Sequence, residues 1–400
     1  MDGFLTVGHP AAVAAAHAML GSRVPHALLI SGPASVGKVS LALDLAAGLL
    51  CTGATGADRP CRSCRTCRMV VHGNHPDLHR LGPEGMGAQV VIGGPDAKVR
   101  GVRDLVTELS LLPVEGGGRV AIIRDAHRAN EDAQSALLKT LEEPLRDTTV
   151  ILCADDEELL LPTIRSRCAR IRLGVAGVRE VERLLVDRGL ADAPTAARLA
   201  RLTGGRPGLA VAYASAGGAE LIRGELTRTL LDLLVQGPAR RLAAARPVLA
   251  RAMELDVLLA PVVAPVEEAQ GRGARGKAPA QAPATDGGDA PEDPPEEAAD
   301  EGPARKTPAA ARRRALLLLL DAWRVLARDL AFAQLGASGS IREVALLEEI
   351  EAAARDLQPD AAAGMLTRLV RADELIAGNV SPELVLDVLL VRWPHRHRAA

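Results

Sequence analysis

A segment near the amino terminus has the residues of a phosphate-binding loop except at its last position. Such a loop follows the pattern G-x-x-x-x-G-K-[ST]: backbone N–H groups surround the phosphates, the Lys reaches the β and γ oxygens, and the hydroxyl holds Mg²⁺. Gly32, Gly37 and Lys38 have the required spacing, but Val39 replaces the hydroxyl residue. Ser40 comes one residue late, about 100° further around a helix, so it does not restore the Mg²⁺ ligand.

The segments on either side of this loop have the patterns that the motif requires. Residues 27–30 form an apolar run with the length of a buried strand, and residues 41–50 have the apolar spacing of a helix. The loop would therefore join a strand to a helix. We expect a nucleotide-binding α/β fold that has lost part of its hydrolytic machinery.

Two later apolar runs, 120–123 and 149–153, are predicted strands that end beside the phosphates. In P-loop ATPases the first of them ends in Asp-Glu, where the Asp serves Mg²⁺ and the Glu polarises the attacking water. Here Asp125 is kept, Ala126 replaces the Glu, and Ala154 stands where a polar residue would sense the γ-phosphate. Each change alone is also compatible with drift. Together with the missing hydroxyl they predict a site that does not hydrolyse ATP, and they leave open whether ATP binds.

Four of the six cysteines are clustered: Cys51, Cys61, Cys64 and Cys67. Two overlapping C-x-x-C turns let thiolates converge from one loop, and Cys51, at the end of the preceding predicted helix, can supply a fourth tetrahedral ligand. We predict that these four residues bind one structural Zn²⁺. A redox C-x-x-C pair and unligated thiols are the alternatives.

Three arginines, Arg62, Arg65 and Arg68, alternate with these cysteines. Their charge favours the thiolate form and offsets part of the charge of a four-thiolate zinc site. A cysteine knuckle with three arginines could also touch DNA, although most sites of this size only hold a loop in shape.

Composition limits the classes of protein that the chain can belong to. It has 400 residues, enough for two or three domains, and a formal net charge of −2, which gives no overall attraction to nucleic acid or to anionic membranes. The start of the sequence does not read as a signal peptide, and no apolar run approaches the ~20 residues that span a bilayer. We expect a cytoplasmic protein with no membrane contact. Two Trp, two Phe and one Tyr argue against binding single strands by base stacking.

Three further segments have recognisable motifs: Asp-Ala-His at 125–127, the run 133–144 that ends in Leu-Glu-Glu-Pro, and the run 161–168 that ends in Ser-Arg-Cys. Together they resemble the clamp-loader branch of the AAA+ ATPases. The Ser-Arg-Cys triplet is the most specific of these marks. With the cysteine knuckle and the altered Mg²⁺ and Glu positions, the resemblance implies a non-hydrolysing member of this family and covers residues 5–215 well.

The resemblance also implies roles and partners. Arg167 would be an arginine finger that reaches the γ-phosphate of a neighbouring subunit; an isolated arginine is more often part of a surface ion pair. Gly32, Gly37, Lys38 and Asp125 would form a degenerate nucleotide site. The partners would be the clamp-loader ATPase subunits (gamma/tau), a delta subunit, and the sliding clamp and primed DNA. Other members carry a nucleotide-sensing Arg in the region of Arg206.

The resemblance and the apolar spacing together predict the domains. Residues 1–173 would form a P-loop AAA+ module, a parallel sheet flanked by helices with the zinc knuckle at 51–67. Residues 174–217 would form a helical lid, and residues 218–400 an all-α collar. Residues 267–311 contain no Val, Leu, Ile, Met or aromatic residue and are predicted to be a disordered Ala/Pro/acidic loop within the collar.

Smaller elements are predicted as well. Residues 89–93 are a candidate strand, residues 99–111 a helix, and the last collar helix lies near 377–386. Two other functions stay open on the sequence: an active clamp-loader ATPase that tolerates Val39, and a zinc-knuckle DNA-binding regulator.

Overall fold

The computed structural model describes residues 3–83, 89–95, 97, 99–115, 117–263 and 308–394. A five-stranded sheet, parallel throughout, lies in the first part of the chain, in the order β2-β3-β4-β1-β5. Its strands are β1 (Ala27–Ser31), β2 (Leu78–Leu81), β3 (Arg119–Ile123), β4 (Thr148–Ala154) and β5 (Ala169–Arg172).

Six helices accompany the sheet. They are α1 (Pro10–Gly21), α2 (Lys38–Leu49), α3 (Arg65–Val71), α4 (Val102–Ser110), α5 (Glu131–Glu142) and α6 (Pro162–Arg167). Because side chains alternate along a strand, each face of the sheet has its own apolar core. Leu28 and Ile30 of β1 pack with α1, α2 and α3, whereas Leu29 packs with residues of α4, α5 and α6. The predicted parallel sheet flanked by helices is confirmed.

The rest of the described chain is helical. Three short helices follow the sheet, namely α7 (Val178–Asp187), α8 (Ala193–Leu202) and α9 (Pro207–Ser215). Six more complete the chain: α10 (Ala219–Leu233), α11 (Pro238–Val263), α12 (Pro308–Gln334), α13 (Leu347–Arg355), α14 (Ala361–Ala377) and α15 (Pro382–Val391). Buried apolar residues from α7 to α15 form one continuous cluster. In it, Trp323 of α12 packs against Trp393 with ring centroids 5.2 Å apart.

Three local predictions differ from the structure. No strand forms at 89–93, where the described residues show only an isolated bridge between Val90 and Ala129. The edge strand β2 is not among the predicted strands. The predicted loop 267–311 lies mostly outside the described residues, and its last four residues are helical because α12 begins at Pro308.

Candidate functional site

The phosphate-binding loop lies at the carboxyl end of β1, between Ser31 and the start of α2 at Lys38. Gly32 has φ 147°, and a Cβ on it would lie 2.1 Å from the carbonyl oxygen of Leu173. Gly37 has φ 108°, in the left-handed region. Both positions therefore require glycine for conformational reasons, as the motif predicts.

The Lys38 side chain is buried, with 6% of its surface exposed. Its Nζ donates to the carbonyl oxygens of Gly32 at 2.8 Å and of Pro33 at 2.6 Å, and forms an ion pair with Asp155 Oδ1 at 2.6 Å. Val39, where a Mg²⁺ ligand would stand, packs against the apolar core beside β1, and Ser40 is exposed. The loop thus keeps the positively charged Lys38, but Val39 provides no hydroxyl group to bind Mg²⁺.

Asp125, His127 and Asp155 lie together at the same edge of the sheet, with ligand atoms within 4.8 Å of one another. Burial, and then the Asp155 carboxylate, raise the pKa of Asp125. Burial lowers the pKa of His127, and its Nδ1 accepts the backbone N–H of Asp155 at 3.1 Å. In the neutral ring the proton is then on Nε2, so His127 has no lone pair left for a metal ion.

The four clustered cysteines converge as predicted: the sulfur atoms of Cys51, Cys61, Cys64 and Cys67 lie within 4.8 Å of one another. The turn approaches Gly53 so closely that a Cβ there would lie 2.9 Å from the sulfur of Cys61. Four sulfur donors at one point are the ligand set of a structural zinc site. The residues present therefore fit Zn²⁺.

Two of these thiols differ in acidity. Burial raises the pKa of Cys64, but hydrogen bonds from Thr66 and from the backbone N–H of Cys67 outweigh it and lower the pKa to about 5. At Cys67 burial dominates and raises the pKa. The lowered pKa of Cys64 favours its thiolate form, which is the form that binds metal ions.

The three arginines of the knuckle are engaged within the protein. Arg62, with φ 58°, pairs with the buried carboxylate of Asp44 on α2. Arg65 pairs with Glu115 at 3.0 Å, and Arg68 donates to the carbonyl oxygen of Ser63. These contacts leave less free positive charge on the knuckle than the sequence suggests.

Arg167 is the last residue of α6, and 36% of its side chain is exposed. Its guanidinium donates to the carbonyl oxygen of Thr163 at 3.0 Å and pairs with Glu142 at 2.7 Å. Among the described residues it has no hydrogen bond or ion pair with Lys38 or Asp125. Within one chain the structure therefore brings Gly32, Gly37, Lys38 and Asp125 together at one edge of the sheet, with Arg167 outside their hydrogen-bonding network.

Arg206 does not contact the phosphate-binding loop with its side chain. It forms a two-point ion pair with Asp321 of α12, with N–O distances of 2.7 and 2.8 Å. The next helix does reach the loop, because the backbone N–H of Gly208 donates to the carbonyl oxygen of Ser35 at 2.9 Å.

Two groups of functional interest were missed by sequence reasoning. Asp155 directly follows β4, and its position in the sequence does not indicate that it pairs with Lys38. Asp44 lies within an apolar helix, and a charged residue on an otherwise buried face is the signal that could have found it.

The helices in the described part of the chain include none with both the length and the apolar character of a membrane span.

Comparison with known proteins finds similarity over part of the chain. Residues 10–176 match the model of the family "DNA polymerase III, delta subunit". The chain is 37% identical to the DNA polymerase III subunit delta' of Pseudomonas aeruginosa over 197 residues, 47% of this chain and 56% of that protein. It is 34% identical to the delta' subunit of Bacillus subtilis over 177 residues, 44% of this chain and 50% of that protein.

A second kind of relative matches a similar share of the chain. The tau subunit of DNA polymerase III from Escherichia coli is 31% identical over 182 residues, 44% of this chain and 26% of that protein. The chain spans about half the length of the delta' relatives that it matches. The first half of the chain is therefore similar to the delta' subunits of DNA polymerase III.

Proposed function

We propose that this chain is a non-hydrolysing, delta'-like subunit of the sliding-clamp loader of a bacterial DNA polymerase III holoenzyme. It would act in the cytoplasm during DNA replication, beside active ATPase subunits of the gamma/tau type and a delta subunit. The sliding clamp and primed DNA would be its partners within that complex. The observation that carries the proposal is the similarity to delta' subunits, combined with Val39 and Ala126 in the nucleotide site.

The loss of hydrolysis follows from what those two side chains lack. Phosphoryl transfer needs a ligand that holds Mg²⁺ on the phosphates and a group that orients the attacking water. Val39 has no oxygen, and Ala126 is a buried methyl group with 1% of its surface exposed. The chain's own site therefore lacks both groups.

Arg167 is proposed to act in a neighbouring subunit. A guanidinium presents a planar fork of donors that matches a phosphate, and it can neutralise charge that develops in phosphoryl transfer. Its pair with Glu142 is partly exposed, and exposed ion pairs are worth only about 0–1 kcal/mol. Arg167 can therefore leave Glu142 at little cost when a more highly charged phosphate is offered.

The cysteine knuckle is proposed to hold one structural Zn²⁺ through Cys51, Cys61, Cys64 and Cys67. A metal bound there would cross-link the end of α2 to α3. The arginines of the knuckle pair with Asp44 and Glu115 or with backbone, which argues against a separate role as a DNA-binding regulator.

The proposal is tested by co-purification and by turnover. The tagged full-length chain is expressed with untagged gamma/tau and delta subunits of the same source, and the captured complex is isolated by size exclusion. We expect all three to elute together, and we expect ATP hydrolysis by the isolated chain to stay at background. A chain that captures none of these subunits would contradict the proposal.

The similarity to tau subunits favours one second candidate, an active clamp-loader ATPase. The same measurement separates the two functions. Steady ATP turnover by the isolated chain, lost in Lys38→Ala, would favour the active ATPase.

A further inference from the structure

The ammonium group of Lys38 has all of its hydrogen-bond donors engaged within the protein. It has three donors, and it lies 2.8 Å from the carbonyl oxygen of Gly32, 2.6 Å from that of Pro33 and 2.6 Å from Asp155 Oδ1. The two carbonyls belong to the loop itself. A phosphate oxygen that reached Lys38 would therefore have to displace the Asp155 carboxylate.

Asp155 is held in this position by the fold. It follows Ala154, which pairs in register with Ser31 at the base of the loop and accepts the N–H of Gly32 at 3.2 Å. The backbone N–H of Asp155 donates in turn to His127 Nδ1 at 3.1 Å. The backbone of Asp155 is thus fixed beside the loop by strand register and by the hydrogen bond to His127, which places its carboxylate within reach of Lys38.

The charges around Lys38 are unfavourable for a second anion. Asp125 places another carboxyl group within 4.8 Å of Asp155. Burial lowers the pKa of His127, which therefore adds no positive charge at neutral pH. Val39 offers no ligand for a Mg²⁺ ion that could offset the phosphates. A triphosphate that reached Lys38 would come close to the Asp155 carboxylate in a partly buried setting, where like charges repel strongly.

We propose that Asp155 occupies the position of a nucleotide phosphate on Lys38 and thereby keeps the resting chain free of ATP and ADP. This inference goes beyond the proposed function, because it concerns binding rather than hydrolysis and does not depend on assembly into a clamp loader. It makes Asp155 the residue that determines whether this loop accepts a nucleotide.

The test is calorimetric titration of the full-length chain with ATP and with ADP, with and without Mg²⁺. We expect no saturable binding by the wild type. Asp155→Asn, which keeps the shape and removes the charge, should bind at least about tenfold more tightly, because placing like charges together costs several kcal/mol. In the double variant Lys38→Ala, Asp155→Asn this binding should be lost.

Asp156→Asn is the matched control. Asp156 is the adjacent exposed carboxylate, and it accepts the N–H of Glu158 instead of facing the loop. It should behave like the wild type. Asp155→Ala provides a second variant, and circular dichroism shows whether each variant is folded.

Two results would overturn the inference. One is saturable binding of ATP or ADP by the wild type with an affinity equal to that of Asp155→Asn. If the variants did not fold, saturable ATP binding by the wild type alone would overturn the inference. The other is a folded Asp155→Asn or Asp155→Ala that binds neither nucleotide. A variant that binds but does not hydrolyse ATP supports the inference and leaves the claim of inactivity intact.

Discussion

At the scale of single residues, Asp44 connects three separate parts of the α/β module. Its carboxylate, on α2, is 1% exposed and accepts from the backbone N–H groups of Leu5 and Thr6, from the Thr6 hydroxyl and from Arg62 of the knuckle. Buried charges are tolerated only when they are paired and hydrogen-bonded. Asp44 therefore ties the amino-terminal segment and the knuckle to the helix that follows the phosphate-binding loop.

Replacing Asp44 by Ala should strongly destabilise the fold. The change leaves Arg62 without its carboxylate partner, and breaking one side of a buried pair costs about 3–5 kcal/mol. The measurement is urea unfolding followed by circular dichroism. Asp58→Ala, at an exposed acidic residue, is the control and should change stability little. A loss at Asp44 no larger than at Asp58 would contradict the assigned network.

Glu108 on α4 provides a pH-dependent contribution to stability. Burial raises its pKa, but hydrogen bonds from His79 and Arg100 outweigh burial and lower the pKa to about 2. A carboxylate with a lowered folded-state pKa stabilises above its unfolded pKa, about 4.3, and loses that contribution as pH falls towards 2.

Glu108→Gln should therefore lower the melting temperature at pH 7, and the difference from the wild type should shrink as pH falls from about 5 to about 3. Thermal unfolding across that range gives the comparison. Glu131→Gln, an exposed acidic residue in the first turn of α5, serves as control. A difference between Glu108→Gln and wild type that is constant across this range would show that the Glu108 charge is not responsible.

At the scale of elements, the cysteine knuckle contains a helix that is too short to be stable by itself. α3 has 7 residues, too few for an isolated helix to be stable, and its amino end is capped by the sulfur of Cys64, which accepts from Cys67 N. A metal would fix both residues at once. The knuckle should therefore lose its shape when the metal is removed.

We expect one Zn²⁺ per chain by elemental analysis. Cys64→Ser together with Cys67→Ser should abolish it, because two ligands do not make a tetrahedral site. Cys168→Ala, which removes a cysteine outside the cluster, should keep the metal. Purified protein without zinc, or zinc retained in the double variant, would disprove the assignment.

Much of this fold follows from local sequence patterns. The apolar runs that became β1, β3 and β4 are uninterrupted, and the glycines of the phosphate-binding loop fix the turn between β1 and α2. β2 was missed because it has only four residues, and two of them, His79 and Arg80, are polar. His79 hydrogen-bonds to Glu108 of α4, and Arg100 in the loop before α4 donates to the backbone carbonyl oxygen of Arg80.

The false strand at 89–93 has a tertiary cause. Its Gln-Val-Val-Ile sequence favours a strand, but Gly93 and Gly94 have positive φ and turn the chain towards Gly101. A Cβ on Gly93 would lie 2.6 Å from the Cα of Gly101. Such a close approach depends on distant residues, which a local pattern does not contain.

In the candidate site, too, local sequence patterns predicted some contacts and missed others. Motif spacing was enough to assign Gly32, Gly37 and Lys38 to one loop, and the C-x-x-C turns were enough to bring their cysteines together. The pairing of Lys38 with Asp155 joins positions more than 100 residues apart through strand register. Sequence spacing carries no information about that kind of contact.

At the scale of the whole molecule, one segment contacts both the phosphate-binding loop and the long helix α12. Gly208 N–H donates to Ser35 in the phosphate-binding loop, and Arg206 beside it pairs with Asp321 in α12. The loop, the short helices and α12 are thus joined by consecutive residues of one segment. The division into lid at 174–217 and collar at 218–400 stays a prediction, and the described residues of both share one apolar core.

Deleting residues 267–307 and joining the ends with a short Gly/Ser linker should leave the fold intact. This segment contains no large apolar residue that could contribute to a core. A shorter loop also costs slightly less entropy to close. Thermal unfolding of the deletion variant should give a melting temperature close to that of the full chain; a large decrease would mean that the segment contributes to the fold.

We propose that this chain, itself without ATPase activity, supplies Arg167 to the active site of a neighbouring subunit. The most direct measurement is ATP turnover by the reconstituted clamp loader that contains wild-type chain, Arg167→Ala, Arg167→Lys or the control Arg170→Ala. Arg170 is an exposed arginine three residues away whose guanidinium donates to the carbonyl oxygen of Arg165.

An arginine finger is worth about 10³ to 10⁵ in rate at the site that it serves. A complex with several active sites would lose only the one that faces this chain, so Arg167→Ala should lower turnover partially while assembly stays unchanged. Arg167→Lys should not restore it fully, because an ammonium lacks the planar fork. Arg170→Ala should match the wild type. Turnover that is unchanged by Arg167→Ala in an intact complex would contradict the account.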